Sequence, residues 1–357
     1  MRGAGTTRWE ARQGIWLLGM LAVLFLGGTW WIPAFTPPAP EGPCATVNGR
    51  SWRHDDAAAV SYFLASLREH DGVLCLGTSE TTTLAGGNWP DFLNAVEPRH
   101  AVLAGAGRTA GVWLPVLAQH QEELRGLRLI FYINPVYWNA EHGPVNPTYW
   151  SRYVDPRLMA EREEIPEDLW RPVNQAWQAL PLTERYSPAS FLRAVRAKWF
   201  LDLRHHLQPE TFTAAFRPVK RWTGPVPSAP DPRIDLAHGI DSMFHHAEWF
   251  RPVSSDLEVL EARDDELRAF IRACTEWGIE ATFVLGPHNA PFMRWHAPEA
   301  ESGYVELGEH LAALLDSERA TWVDARSVSS VPGAFRDHQH HSSFGAALIA
   351  EQILNRP

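Results

Sequence analysis

Cysteine is scarce in this chain: Cys44, Cys75 and Cys274 are all it has among 357 residues. Three thiols cannot build a disulfide framework, even in an oxidising compartment. Cys75 reads as a small buried hydrophobe, and a Cys44–Cys274 bridge stays open. No CxxC pair and no HExxH occurs, so the most recognisable zinc patterns are missing. There is no glycine-rich loop of the kind that cradles phosphates. Lys and Arg number 32 against 42 Asp and Glu, a formal net charge of -10, and no basic aromatic stripe is present. That balance argues against a nucleic-acid surface. What the chain has in plenty is tryptophan and proline, 17 and 28 residues.

One long apolar run stands near the start. Residues 14–35 carry no charge, and at ~1.5 Å per helical residue they are just long enough for a ~30 Å hydrocarbon layer. Arg2, Arg8 and Arg12 precede the run against one acid, Glu10, and Trp30-Trp31 stands where an interfacial belt is expected. The arginine bias puts the N-terminus in the cytoplasm and the remainder outside. A cleaved signal peptide is the rival reading. The run is long for one, and residues 33–43 show no small-x-small cleavage pattern. An uncleaved single-pass anchor in the cell membrane, with the domain periplasmic or extracellular, is therefore expected.

Residues 1–36 are read as cytoplasmic tail and anchor, and 37–56 as a linker stiffened by Pro37-Pro38-Ala39-Pro40. A helix over 57–69 leads to a strand over 72–77. Further strands are predicted over 101–105 and 127–133, with helical spacing over 111–124 between them. Strands alternating with helices at these distances imply βαβ units and a parallel sheet. From 135 to 255 the alternation stops. That stretch is rich in Trp, Pro, Arg and paired histidines, with helical spacing over 188–207, and reads as a helical insertion capping the sheet edge. The alternation resumes over 256–357 with a helix over 256–274, a strand over 279–286, a helix over 305–315, a strand over 321–323 and a last helix over 343–354. Residues 57–134 and 256–357 would then form one three-layer α/β/α core with a five-stranded parallel sheet.

Ser79 follows the first strand in Gly77-Thr78-Ser79-Glu80, at the edge where open α/β sheets bind ligands. Thr78, Ser79 and Glu80 would serve equally well as a helix cap. What favours a nucleophile is Asp337-His338-Gln339-His340 just before the last helix. A hydroxyl needs a base at neutral pH, and an imidazole needs a carboxylate to fix its tautomer. His338 and His341 flank His340, and further pairs stand at His205-His206 and His245-His246. Adjacent histidines point in different directions, so these read as solvated loop residues rather than metal ligands. The pattern calls for no metal and no cofactor. Tyr137-Trp138 and Tyr149-Trp150 could form a sugar-stacking platform, but aromatics mostly fill cores.

A strand ending in a glycine-x-serine block, with Asp-x-x-His before the final helix, resembles the SGNH (GDSL-type) hydrolases. Gly77-Thr78-Ser79-Glu80, the anchor and the insertion resemble the DltD branch, membrane-anchored proteins of D-alanylation of cell-envelope polymers. The resemblance implies Ser79 as nucleophile, His340 as base and Asp337 as its orienting partner. It implies an oxyanion hole of the Ser79 main-chain N–H with Gly105 or Gly107, whose loop allows close backbone approach. The family's Gly-x-Asn-Asp block is absent, and Asn134 is its only stand-in, unless it caps the turn before Pro135. The missing block fits a dedicated transfer system better than a free-standing esterase. Implied partners are a membrane O-acyltransferase of the MBOAT type, an acyl carrier protein and an envelope polymer or polysaccharide as acceptor. O-acetyl transfer or deacetylation of an exported polysaccharide, and a non-catalytic scaffold for the acyltransferase, are the alternatives.

Overall fold

Val73-Leu74-Cys75-Leu76 is apolar at every position, so a strand made of it has no face to leave in water. The computed structural model covers it on both sides. It describes residues 13–20, 23, 35–41, 44–46, 57–81, 100–104, 109–138, 202–213, 216–218, 257–296, 298–337 and 339–355. The strands are β1 (Cys44–Thr46), β2 (Val73–Gly77), β3 (His100–Ala104), β4 (Arg128–Ile133), β5 (Phe216–Pro218), β6 (Glu280–Leu285) and β7 (Trp322–Asp324). Among the described residues the helices bounded at both ends are α1 (Ala57–Glu69), α2 (Ala110–Gln119), α3 (Gln121–Leu124), α4 (Pro209–Thr213), α5 (Leu257–Glu276), α6 (Ala290–His296), α7 (Pro298–Ser317) and α8 (Ser343–Leu354).

Five strands form a parallel sheet in the order β3-β2-β4-β6-β7. The chain steps outward from β2 to β3, then jumps back over β2 to start β4. The order therefore reverses between β2 and β4, and in an open α/β sheet the crevice beyond the carboxyl ends at such a reversal is where ligands sit.

Alternate side chains feed two cores. Leu74, Leu76, Leu129, Phe131, Ile133, Phe283 and Leu285 pack with Phe63 of α1, Trp113 of α2, Phe270 of α5 and Leu311 of α7. Val73, Cys75, Ile130, Tyr132 and Val284 pack with Ala346, Ala347, Ile349 and Ala350 of α8. The alanines keep α8 close to the sheet, which matters because α8 follows the loop carrying Asp337 and His340.

The predicted helix over 111–124 is divided at His120 into α2 and α3. The linker expected over 37–56 is partly folded: β1 lies within it and pairs antiparallel with β5, inside the insertion. Of the insertion, residues 202–207 are helical and lead into α4; His245-His246, Tyr149-Trp150 and most of its remainder lie outside the described residues. Tyr137 and Trp138 are buried in the first core, not displayed as a platform. Cys274 is a buried thiol whose pKa burial pushes up, and it is bridged to no other cysteine, so the pairing with Cys44 is not made.

Residues 13–20 are helical, and Ile15, Trp16, Leu17, Leu18 and Met20 are each at least 60% exposed. Most of the remaining apolar run lies outside the described residues. Among those described, no helix is long and apolar enough to cross a membrane. The last residue of the run, Phe35, is fixed to the domain. Its ring centroid lies 5.1 Å from that of His205, 5.5 Å from His206 and 5.0 Å from Phe212 of α4, and its main-chain N–H donates to Asp202 Oδ1 at 3.4 Å.

Candidate active site

β2 ends at Gly77, and the chain turns at once into a single 3-10 turn, Ser79–Thr81. Gly77 allows this tight exit: a Cβ there would lie 2.9 Å from the Tyr132 Cβ and 2.8 Å from the Thr81 Cγ2. Thr81 ties the turn back through its Oγ1, which donates to the Thr78 carbonyl at 2.9 Å. Ser79 opens the turn beyond the carboxyl end of β2; its side chain is outside the described residues.

Glu80 is wholly buried. Its Oε2 accepts from the Thr78 hydroxyl, and its Oε1 accepts from Asn134 Nδ2 at 2.5 Å. Burial raises its pKa above the usual carboxylate range, opposed by the charge on His340 and the Thr78 hydrogen bond. Asn134, just after β4, also accepts the Val136 N–H through Oδ1 at 3.0 Å, which fixes which end of the amide faces Glu80. Asn134 therefore caps the turn after β4 and ties it to β2. One of its two amide N–H groups is spent on Glu80 in this way.

Asp337 and His340 stand on a loop whose stems are joined at Phe335 and His341 by an antiparallel bridge. Asp337 organises that loop, its Oδ1 accepting the main-chain N–H of Gln339 at 3.0 Å and of His340 at 2.7 Å. A carboxylate bonding to the backbone two and three residues on is a local turn that short acidic side chains favour. Both carboxylate oxygens also face His340 Nδ1, at 3.0 and 2.9 Å. An ionised carboxylate only accepts, so the Nδ1 carries the proton and Nε2 is left as the basic nitrogen. Burial alone would lower the His340 pKa, but the hydrogen bond and charge of Asp337, with Glu80 adding to them, raise it. On Asp337 burial is likewise outweighed, and the bonds from His340 hold it well below the ordinary range. Asn289, just beyond β6, steadies the loop by donating Nδ2 to the Asp337 carbonyl at 2.8 Å.

His341 is not solvated, as a flanking loop histidine was expected to be: it is fully buried, with Nε2 3.1 Å from the Tyr132 hydroxyl. His205 is also buried, against Phe35 and Phe212. His338 lies outside the described residues. No cluster of metal-ligating side chains occurs among those described. Burial and the neighbouring His340 charge push the His341 pKa down to about 3, against ~6.5 for an ordinary imidazole. A folded value below the unfolded one stabilises the protein above pH ~6.5, and that stability is lost as pH falls toward 3. Its slope is at most about 1.4 kcal/mol per pH unit. Denaturant midpoints measured from pH 6.5 down to 4 should fall less steeply in His341→Gln, whose amide can still reach Tyr132.

Three strands thus reach the loop before α8: β2 through Glu80, whose charge acts on His340, β4 through Tyr132 on His341, and β6 through Asn289 on Asp337. The mutual charge effects of Glu80 and His340 put the residue after Ser79 and the imidazole in one electrostatic environment. Gly105 and Gly107 lie outside the described residues. Their loop rejoins at Thr109, whose hydroxyl accepts from Arg263 Nη1 at 2.9 Å and donates to Glu266 Oε2 at 3.3 Å. Glu80, Asn289, Tyr132 and His341 were not singled out by the sequence reading as members of a site. The signal available for Asn289 is its place just after a strand that ends before Gly286. A cavity of about 660 Å³ opens at the opposite edge, by the strand starts Val73, Arg128 and Glu280, and is separate from this cluster.

No protein-family model and no curated protein matches the chain. Among solved structures, a protein assigned to the G-D-S-L lipolytic family, from Desulfitobacterium hafniense DCB-2, is similar at 11% identity and a TM-score of 0.34 over 79% of this chain and 97% of that one. So slight an overlap adds nothing to the geometry, on which the functional reading rests.

Proposed function

We propose that the domain is a serine-dependent acyl-transfer component of the SGNH type, with Ser79 as nucleophile, His340 as base and Asp337 as the group that orients it. One observation carries the reading: a histidine with its Nδ1 proton held by a carboxylate stands on the loop that bonds to the ends of β4 and β6 through Tyr132 and Asn289, the side of the parallel sheet on which β2 leads into Ser79. Ser79 Oγ attacks the carbonyl of an activated acyl ester or thioester as His340 Nε2 takes its proton. The bond to the leaving group breaks, and His340 returns the proton to that group. A hydroxyl of an envelope polymer then repeats the sequence in reverse, giving the acylated polymer and free Ser79. The main-chain N–H of Ser79 and the loop of Gly105 and Gly107 would bind the oxyanion.

On this reading the acyl group is D-alanyl, supplied through a carrier protein and an MBOAT-type membrane acyltransferase, and the domain faces away from the cytoplasm on an N-terminal anchor. Support for the anchor is the helix over 13–20, whose apolar side chains Ile15, Trp16, Leu17, Leu18 and Met20 are exposed. A fluorophosphonate probe applied to the full-length protein in membranes should label Ser79, and Ser79→Ala should lose both label and transfer. Full transfer by Ser79→Ala overturns the mechanism; failure of the wild type to label beside its partners favours a scaffold. Comparing envelope D-alanine with acetate in a deletion strain separates D-alanylation from acetylation.

A further inference from the structure

A buried carboxylate is expensive, and replacing such a group by an apolar one is often neutral or stabilising. Glu80 is wholly buried, with its two oxygens divided between two elements: Thr78 in its own turn and Asn134 at the end of the neighbouring strand. Asn134 cannot turn its amide over, because its oxygen holds the Val136 N–H. The main chain of β2 has its last β4 partner at Leu76, paired with Phe131. Beyond that point Glu80–Asn134 is a side-chain link between the ends of the two strands. A single 3-10 turn held by one hydrogen bond per residue has little rigidity of its own, whereas a nucleophile must be held within fractions of an ångström.

We propose that Glu80 is a positioning residue: a strut that braces the Ser79–Thr81 turn against the end of β4 through Asn134, and so sets where the serine sits relative to His340. The inference rests on the reading of Ser79 as nucleophile. Asn134→Asp would set two buried acids at the 2.5 Å contact; they can hold one shared proton between them, and the turn is pushed away once that proton is lost at alkaline pH. Glu80→Gln on top of it rebuilds the link with donor and acceptor exchanged. The amide introduced at position 80 donates, and the carboxylate introduced at position 134 accepts from it while still accepting from the Val136 N–H.

The test is the rate of Ser79 labelling by a fluorophosphonate in the full-length chain, with transfer kinetics and melting temperature alongside. At alkaline pH Asn134→Asp should slow labelling about 10²-fold relative to wild type at the same pH, lowering kcat with KM little changed, and Glu80→Gln/Asn134→Asp should recover to within about tenfold of wild type. A folded Asn134→Asp that labels at the wild-type rate at that pH, or a folded double variant no faster there than the single one, overturns the proposal. Should Asn134→Asp not fold, Thr78→Val removes only the hydroxyl that holds Glu80 Oε2; a drop of about tenfold supports the strut, and an unchanged rate overturns it. A wild type unlabelled at Ser79 sinks the parent reading instead, so the two failures are distinct.

Discussion

Asp337→Asn is expected to lower acyl transfer by about 10⁴-fold while leaving the protein folded. The asparagine keeps one carbonyl oxygen, enough to accept the main-chain N–H groups of Gln339 and His340 that shape the loop. It replaces the other oxygen with an amide that only donates, facing the Nδ1 of His340 where Asp337 Oδ2 stood at 2.9 Å. Two donors cannot share that contact, and the retained Oδ1, 3.0 Å from Nδ1, is already divided between two main-chain N–H groups, so the balance shifts toward the tautomer with its proton on Nε2, which is no base toward Ser79. The carboxylate's support for the imidazolium is lost as well. Steady-state transfer, beside a circular-dichroism melt, measures this. A folded variant within tenfold of wild type would remove His340–Asp337 from the mechanism.

Gly345→Val is expected to cost about 3–5 kcal/mol of stability, in the range reserved for overpacked or broken core sites. Gly345 lies in the first turn of α8, where its N–H is capped by Ser342 Oγ at 3.1 Å. A Cβ there would run into the Ala334 carbonyl oxygen and stand 2.7 Å from its carbon. Both are main-chain atoms, so no side-chain rotation relieves the clash. The same Ala334 oxygen accepts the Ser342 N–H at 2.9 Å, so either α8 lifts off the sheet or the loop bearing Asp337 and His340 moves. Denaturant unfolding should show a lower midpoint, and whatever folds should transfer poorly. Gly345→Ala places the same Cβ and should be nearly as harmful.

The alternating apolar runs and helical spacings made the strands of the parallel sheet readable, because Val73–Leu76 or Arg128–Ile133 can satisfy their side chains in few other ways. The loop of Asp337 and His340 was readable for a local reason: an acid three residues before a histidine, just ahead of Ser342 as a helix cap. What escaped was whatever needs a distant partner. Glu80 looks like a cap residue until Asn134 is placed beside it, and Asn289 has no meaning without the Asp337 carbonyl. His341 passes for a solvated neighbour until Tyr132 closes over it. β1 is three residues long, with no periodicity to announce it, and exists because β5 supplies its hydrogen bonds. A side chain's role at this site is set by cross-strand neighbours, and a linear pattern does not contain them.

The pairing of His341 with Tyr132 joins positions separated by 209 residues, and Asn289 reaches Asp337 across 48. Closing loops of that length costs conformational entropy before any contact repays it, so such contacts belong to the slow, non-local part of folding. The turn at Ser79 can form as soon as β2 and β4 pair, but its base arrives only with the loop before α8, once β6 and β7 have extended the sheet. On the proposed mechanism, chemistry and completion of the fold are therefore one event. On that mechanism, a chain stalled with its last helix undocked would hold a serine with no base, and reactive acyl groups would be safe from it until the sheet is whole.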